Sequence, residues 1–357
     1  MIGNVRPRTL DELETPFVAV DLDRVDNNIA TLQSRCDAAG VANRPHIKTH
    51  KLPFLAHRQV RAGACGITVQ KLSEAEVMVQ SGLDDLLITY NLVGEHKARR
   101  LARLASLANV RVALDNAIAL ETVIKAARLA QANIGVLVEF ESSKGRQGVH
   151  DPQEAVDLAT AAMDAPHVDF LGLMTYPSDE ATVDWLERGI EALDRAGLPL
   201  SVISGGGTPG MHRIGTVPGL TEYRAGTSVY HDRKTVQQGA ASINDCALHV
   251  HATVVSTPSA NRAVLDTGSK VLTSDLAKPE PGFGMLIEHP EAIIAELSEE
   301  HAVVDTSNSA TRPRVGERVR VLPNHVCPVS NLFETVILHR DSEILAELPV
   351  LARGAVR

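Results

Sequence analysis

Two short polar clusters in this sequence carry side chains that can make and break covalent bonds. The first is Arg44-Pro45-His46-Ile47-Lys48-Thr49-His50-Lys51. A lysine held at the rim of a barrel and partly withdrawn from water has a lowered pKa. Its amine is then a nucleophile suited to forming a Schiff base. Lys48 is preferred to Lys51 because it stands nearer the end of an extended run at 44–48. A solvated basic loop is the plain alternative for KTHK alone. The second cluster is Pro323-Asn324-His325-Val326-Cys327-Pro328. Residues i and i+2 of an extended segment share a face, so His325 and Cys327 can hold one divalent metal. Imidazole with thiolate favours zinc, with manganese or magnesium as alternatives, and two protein ligands leave positions open for a substrate. A core histidine beside a buried cysteine is the plain alternative here.

Two glycine-rich turns offer a place for a phosphate. Ser204-Gly205-Gly206-Gly207-Thr208 and Ala225-Gly226-Thr227-Ser228 each follow a predicted strand and supply backbone N–H groups and small hydroxyls. In barrels, phosphate sites are frequently built from the loops after strands seven and eight. A single such turn is weak evidence, but two at those positions support each other. Arg146, in KGRQG, and Tyr176, in MTYP, end two further predicted strands. Either suits a cofactor ring or a substrate carboxylate, and either suits a surface ion pair or a packed aromatic. His301, in SEEH, reads as a cap or hinge histidine or as one that faces the metal.

The elements needed to position these groups follow from the apolar pattern. Short apolar runs at 44–48, 66–69, 85–89, 110–114, 134–140, 170–175, 200–204 and 221–226 alternate with helical patterns at 27–39, 73–81, 95–107, 117–131, 152–163 and 182–196. Ile29, Leu32 and Cys36 share one face of the first helix, and Ser73-Glu74-Ala75-Glu76 has the form of a capping box. Eight strands alternating with helices predict a parallel sheet. Over about 200 residues a closed (β/α)8 TIM-type barrel is the natural form, with an open doubly wound sheet as the alternative. Beyond residue 245 the pattern changes to short strands at 249–255, 262–266, 302–305, 318–322 and 332–339, with an irregular loop at 276–285. The expected organisation is a barrel over 15–245 and a smaller C-terminal β domain over 246–357 that carries the metal pair, with residues 1–14 packing on the β domain.

Composition bounds the function. A net charge of −9 argues against nucleic acid or an anionic membrane as partner. No apolar run reaches the length of a membrane span, and residues 1–10 lack the apolar core of a secretory signal, so a cytoplasmic location is expected. Cys36, Cys65, Cys246 and Cys327 are too few and too far apart for a disulfide framework.

Taken in order, RPHIKTHK (44–51), VQKLSEAE (69–76), SGGGTP (204–209), AGTSVYHD (225–232), SEEH (298–301) and PNHVCP (323–328) resemble the D-threonine aldolase and D-serine dehydratase family. These are fold-type III pyridoxal-phosphate (PLP) enzymes built like alanine racemase. The resemblance covers nearly the whole chain. It implies that Lys48 is the Schiff-base lysine, and that His46, Gln70, Arg146 and Tyr176 surround cofactor or substrate. Ser204, Gly206, Thr208, Gly226, Thr227 and Tyr230 then lie at or near the phosphate, and His325 and Cys327 hold a divalent metal near the substrate hydroxyl. It also implies a homodimer and D-amino acid substrates. The implied activity is that of a lyase at Cβ of D-3-hydroxy-α-amino acids, either removing water or cleaving Cα–Cβ in a retro-aldol step. Aldolases of the family tend to carry His-x-Asp at the metal and a histidine shortly after the sixth-strand tyrosine. Here the metal motif is His325-Val326-Cys327, and residues 177–186 contain no histidine. Dehydration is therefore the favoured outcome. A racemase and a non-catalytic PLP-binding protein are the competing classes.

Overall fold

In the computed structural model, which describes residues 8–357, the first elements are β1 (Phe17–Asp21), α1 (Leu22–Ala39), β2 (Ala42–Asn43) and α2 (Pro53–Arg61). A βα alternation follows: β3 (Ile67–Val69), α3 (Leu72–Gln80), β4 (Asp85–Ile88), α4 (Glu95–Ala105), β5 (Asn109–Leu114), α5 (Ala117–Ala130) and β6 (Ile134–Glu139). It continues through α6 (Pro152–Met163), β7 (Val168–Met174), α7 (Val183–Arg195), β8 (Val202–Gly205) and β9 (Glu222–Tyr223). After α8 (Arg233–Gln237) come β10 (Leu248–Ser259), β11 (Arg262–Leu265), β12 (Met285–Leu286), β13 (Ile293–Leu297), β14 (Ala302–Asp305) and β15 (Arg318–Leu322). The chain ends with α9 (Val326–Leu332), β16 (Thr335–Arg340) and β17 (Glu343–Pro349).

These elements divide into two units. One comprises residues 30–48, 52–226 and 354–357; the other comprises residues up to Ile29, residues 49–51 and residues 227–353. The division differs from the expected barrel at 15–245 and β domain at 246–357. Its cause is β1, whose residues Phe17 to Val20 pair antiparallel with β10 and whose Ala19 to Asp21 pair parallel with β16. Of the segment expected to pack with the β domain, residues 1–7 lie outside the described residues. Leu10 and Leu13 cluster with Phe17, Ala19 and Ile337 in the β unit.

The first unit is the predicted parallel barrel. Its sheet runs β2-β9-β8-β7-β6-β5-β4-β3. A bridge between His46 and Thr68 closes the ring, with the Thr68 N–H donating to the Pro45 carbonyl at 2.8 Å. Every residue of β6 is buried, as expected of a strand covered on both faces. Leu87, Ala113, Leu137 and Met174 from four neighbouring strands form one apolar cluster, and each such large side chain contributes roughly 1.5–3 kcal/mol by leaving water. The helices stop and start on local chemistry. Asn116 caps α5 by accepting from the Ala119 N–H, and Asp151 caps α6 just before Pro152.

The other unit is a closed antiparallel barrel with an extension. Long β10 pairs with β15 over Val250 to Thr253 and with β11 from Val254 on, and β12, β13 and β14 complete the ring. Strands β1, β16 and β17 continue the sheet outward from β10.

Several expected details are corrected. The strand at 44–48 is not regular: only Ala42–Asn43 is ladder strand, because Pro45 has no N–H to donate, and Lys48 stands in a 3-10 turn, Ile47–Thr49. The cap of α3 is Lys71 rather than Ser73. Glu74 accepts from the N–H groups of Gln70 and Lys71, while the Ser73 hydroxyl donates to the Arg357 carbonyl. Strand β1, helix α2 and strands β12, β13 and β17 were not legible in the apolar pattern. Among the described residues, no helix is long and apolar enough to cross a membrane.

Candidate active site

The polar residues singled out in the barrel unit stand at the carboxyl ends of its strands, the end at which barrel enzymes place their chemistry. Lys48 follows β2, Gln70 follows β3, Thr89 follows β4, Arg146 lies in the loop after β6, and Tyr176 follows β7. They form one connected arrangement. The Lys48 backbone N–H faces His46 Nδ1 at 3.4 Å, which makes Nδ1 the acceptor and leaves the proton on Nε2. His46 Nε2 then donates to Gln70 Oε1 at 3.1 Å, and Lys48 Nζ donates to the same oxygen at 3.2 Å. Gln70 Nε2 donates to the Thr89 carbonyl at 2.7 Å, which fixes the amide with its oxygen toward the lysine. Burial, and then the charge of Lys48, hold the His46 pKa well below the ordinary histidine value, so the ring is neutral. His46 therefore has both nitrogens committed and serves to fix Lys48 and Gln70.

Tyr176 is the second focus. Lys48 Nζ lies 5.7 Å from its ring centroid and the Arg146 guanidinium 5.4 Å from it. Gly207 also borders this ring: a Cβ there would stand 3.2 Å from Tyr176 Cε2. Gly206 adopts φ +106°, and a Cβ on it would come within 2.7 Å of the Tyr223 ring, so only glycine fits. Its N–H is already donated to Ser178 Oγ at 2.7 Å, so its part in the turn is the absence of a side chain. Thr208 opens a short 3-10 helix, Thr208–Arg213. Ser204 does not face this turn with a free hydroxyl: it donates to Glu222 at 2.6 Å and accepts from Arg224 Nη1 at 2.5 Å. Gly226, after β9, is the last residue of the barrel unit's 52–226 segment.

Two barrel residues escaped the sequence reading. Arg224 is buried, donating to Ser204 and, at 2.8 Å, to the Thr175 carbonyl. Glu139 ends β6, is also buried, and accepts from Gln147. Burial pushes its pKa up to about 7. Both sit inside apolar strand patterns, where one charged residue reads as noise.

The β unit holds the second cluster. His325 has extended backbone as the N-cap of α9, and Cys327 lies in the first turn of that helix. The pair is therefore not on one extended strand, as the i, i+2 argument assumed. The two side chains are nevertheless hydrogen-bonded to each other. Asp232 accepts from the Val326 N–H at 3.1 Å, and the Arg233 N–H donates to the Pro323 carbonyl at 3.1 Å. The backbone on both sides of His325 is thereby anchored to α8. Thr49 Oγ1 lies 3.3 Å from Cys327 Sγ and Thr227 Oγ1 lies 4.0 Å from it. His325 Nδ1 lies 2.6 Å from Asp275 Oδ2. Burial lowers the His325 pKa, but Cys327 and Asp275 outweigh it and raise it to about 9. His301 is exposed in the turn between β13 and β14, not on a helix. Tyr230 is fully buried with its ring edge-on to His50, and its hydroxyl has no hydrogen-bond partner among the described residues.

These residues fit the group the sequence implied. A fixed primary amine, an aromatic face, a guanidinium and a glycine turn meet around Tyr176, which suits an aldehyde-bearing ring with an anionic arm. An imidazole and a thiol in contact, with an acidic partner on the imidazole, are a donor set for a borderline-soft divalent cation. An eight-stranded parallel barrel with such a rim, in one chain with an antiparallel β barrel, defines an enzyme of the alanine racemase architecture.

Comparison with known proteins narrows the class. The alanine racemase N-terminal domain family matches residues 20–234, and the putative serine dehydratase domain family matches residues 247–339. The D-threonine aldolase of an Arthrobacter species is 33% identical over 98% of this chain and 95% of its own length. The D-threo-3-hydroxyaspartate dehydratase of Delftia sp. HT23 is 30% identical over 91% of this chain and 94% of its own. The crystal structure of the D-threonine aldolase from Filomicrobium marinum superposes with TM-score 0.89 and 31% identity, covering 99% of each chain. The Delftia dehydratase has been solved with one histidine changed to alanine and, separately, with the cysteine two positions further on changed to alanine, the latter in a metal-free form. Both variants superpose with TM-score 0.84 and 28% identity, each covering 96% of this chain; the cysteine variant is covered over 99% of its own length and the histidine variant over 96%. The chain belongs to the D-threonine aldolase and D-serine dehydratase family of PLP-dependent lyases.

Proposed function

We propose that this chain is a PLP-dependent, divalent-metal-assisted lyase that acts at Cβ of D-3-hydroxy-α-amino acids and removes the hydroxyl, giving a 2-oxo acid and ammonia. The observation that carries this reading is the contact between His325 and Cys327, a histidine and cysteine two apart. The Delftia dehydratase was altered at a histidine and a cysteine with the same spacing. When bound, PLP supplies an electron sink at Cα and the metal supplies Lewis acidity at the β-hydroxyl. Lys48 would carry the cofactor, and its Nζ would be the base that holds the Cα proton. Gln70 Oε1, held by Thr89 and neutral His46, keeps that amine in position. Tyr176 flanks the ring, and Arg146 offers its guanidinium to the substrate carboxylate. Gly206, Thr208, Gly226, Thr227 and Tyr230 would serve the phosphate, as the resemblance implies; the buried Tyr230 hydroxyl has no acceptor among the described residues. Ser204 acts one step back, holding Arg224 and Glu222. His325 and Cys327 would bind the metal, zinc by their chemistry. A cytoplasmic homodimer belongs to the same reading.

Retro-aldol cleavage is the second reading, favoured by the 33% identity to the Arthrobacter aldolase. Incubation with PLP, zinc or manganese, and D-threonine separates the two. 2-Oxobutanoate with ammonia is the expected product; glycine with acetaldehyde overturns dehydration. Alanine at His325 or Cys327 should abolish either lyase activity, whereas a racemase would survive it.

A further inference from the structure

We propose that Asp275 is a positioning residue for the metal: it fixes the tautomer and orientation of His325 so that Nε2 faces the cation. This rests on the reading of His325 and Cys327 as the metal pair. An ionised carboxylate only accepts hydrogen bonds, so at 2.6 Å from Asp275 Oδ2 the His325 Nδ1 must carry the proton. A metal that displaces the second proton then finds the lone pair on Nε2, because Nδ1 keeps its proton on Asp275. Asp275 is itself held. Lys234 Nζ stands 3.2 Å from the same oxygen, the Asp275 N–H donates to Thr273 Oγ1 at 3.1 Å, and Asn324 Nδ2 donates to the Asp275 carbonyl at 2.9 Å. Asn324 and Val326 are thus both anchored, which leaves rotation of the His325 ring as the remaining freedom. Asp275 removes it. Among the described residues, no group of three His, Cys, Asp or Glu side chains is arranged to hold an ion together. Asp275 therefore acts through His325 and not as a third ligand. A site with two protein ligands has little affinity to spare, so an oriented imidazole matters more here than in a four-ligand site.

The test uses the full chain loaded with PLP and stripped of metal by chelator. Zinc affinity is measured by competition with a chromophoric chelator, cobalt(II) binding by its absorption spectrum, and the metal-free unfolding midpoint by heating. Asp275→Ala should weaken zinc binding by about tenfold to a hundredfold and alter the cobalt spectrum, with the metal-free midpoint unchanged. Asp275→Asn should recover much of the affinity, because its amide oxygen still accepts from Nδ1–H. Wild-type affinity and an unaltered cobalt spectrum in Asp275→Ala would overturn the proposal. So would equal losses in both variants accompanied by a lowered metal-free midpoint, which would mark Asp275 as merely structural. His325→Ala is the control for the underlying reading: if it binds zinc as the wild type does, the metal pair itself is wrong.

Discussion

Lys48 and Lys51 have the same chemistry, and only their surroundings distinguish them. Lys48 Nζ lies against Gln70 and the Tyr176 ring, whereas Lys51 Nζ is spent on Asn331 at 3.0 Å. Lys48→Ala should therefore lose the visible absorbance of covalently held PLP and essentially all turnover. Lys51→Ala should keep that absorbance, as a borohydride-trapping experiment would show. The sequence favoured Lys48 for its nearness to a strand end, but the lysine stands on a 3-10 turn and not on a strand. The neutral state of His46 was not legible. It depends on burial and on Lys48, and no spacing encodes either.

At the scale of elements, the turn after β8 makes a demand that only glycine meets. Gly206 combines φ +106° with the Tyr223 ring packed where a side chain would be. Gly206→Ala should be destabilising by about 1–3 kcal/mol from overpacking and backbone strain together. It should also weaken PLP binding, measured by reconstitution of the cofactor-free chain. If affinity and unfolding midpoint are both unchanged, the turn is not part of the site. The Ser-Gly-Gly-Gly-Thr run announced such a turn, because glycine tolerates these angles where other residues do not. Helix α9 was different. A seven-residue helix that follows His325 and is held by Asp232 and α8 has too little periodicity to be read from sequence.

Across the whole molecule, buried titratable groups set opposite pH dependences of stability. Burial, aided by Arg320 and other nearby cations, pushes the His249 pKa down to about 3, and burial pushes that of Glu139 up to about 7. His249 is neutral when folded and protonates more readily when unfolded. Its contribution is complete above the ordinary histidine value of about 6.5 and is lost as pH falls towards 3. Glu139 is protonated when folded and ionises more readily when unfolded. Its contribution is complete below about 4.5 and is lost as pH rises through about 7. Unfolding midpoints of H249Q should therefore fall less steeply than wild type between pH 6.5 and 4. Those of E139Q should fall less steeply between pH 5 and 8. Parallel curves for a variant and the wild type would show that the group titrates normally in the folded chain.

The sequence by itself determined the alternation of strands and helices, the barrel, the change to β structure near residue 245, and the two clusters of reactive side chains. Periodicity and residue type report burial along one element, and that suffices for these. Only the tertiary structure decided where the unit boundary falls, because β1 pairs with strands more than 200 residues away in sequence. It alone joined Asp275 to His325, 50 residues apart, and Thr49 to Cys327, 278 apart. Such contacts are made by chain folding in three dimensions, and no local pattern carries them.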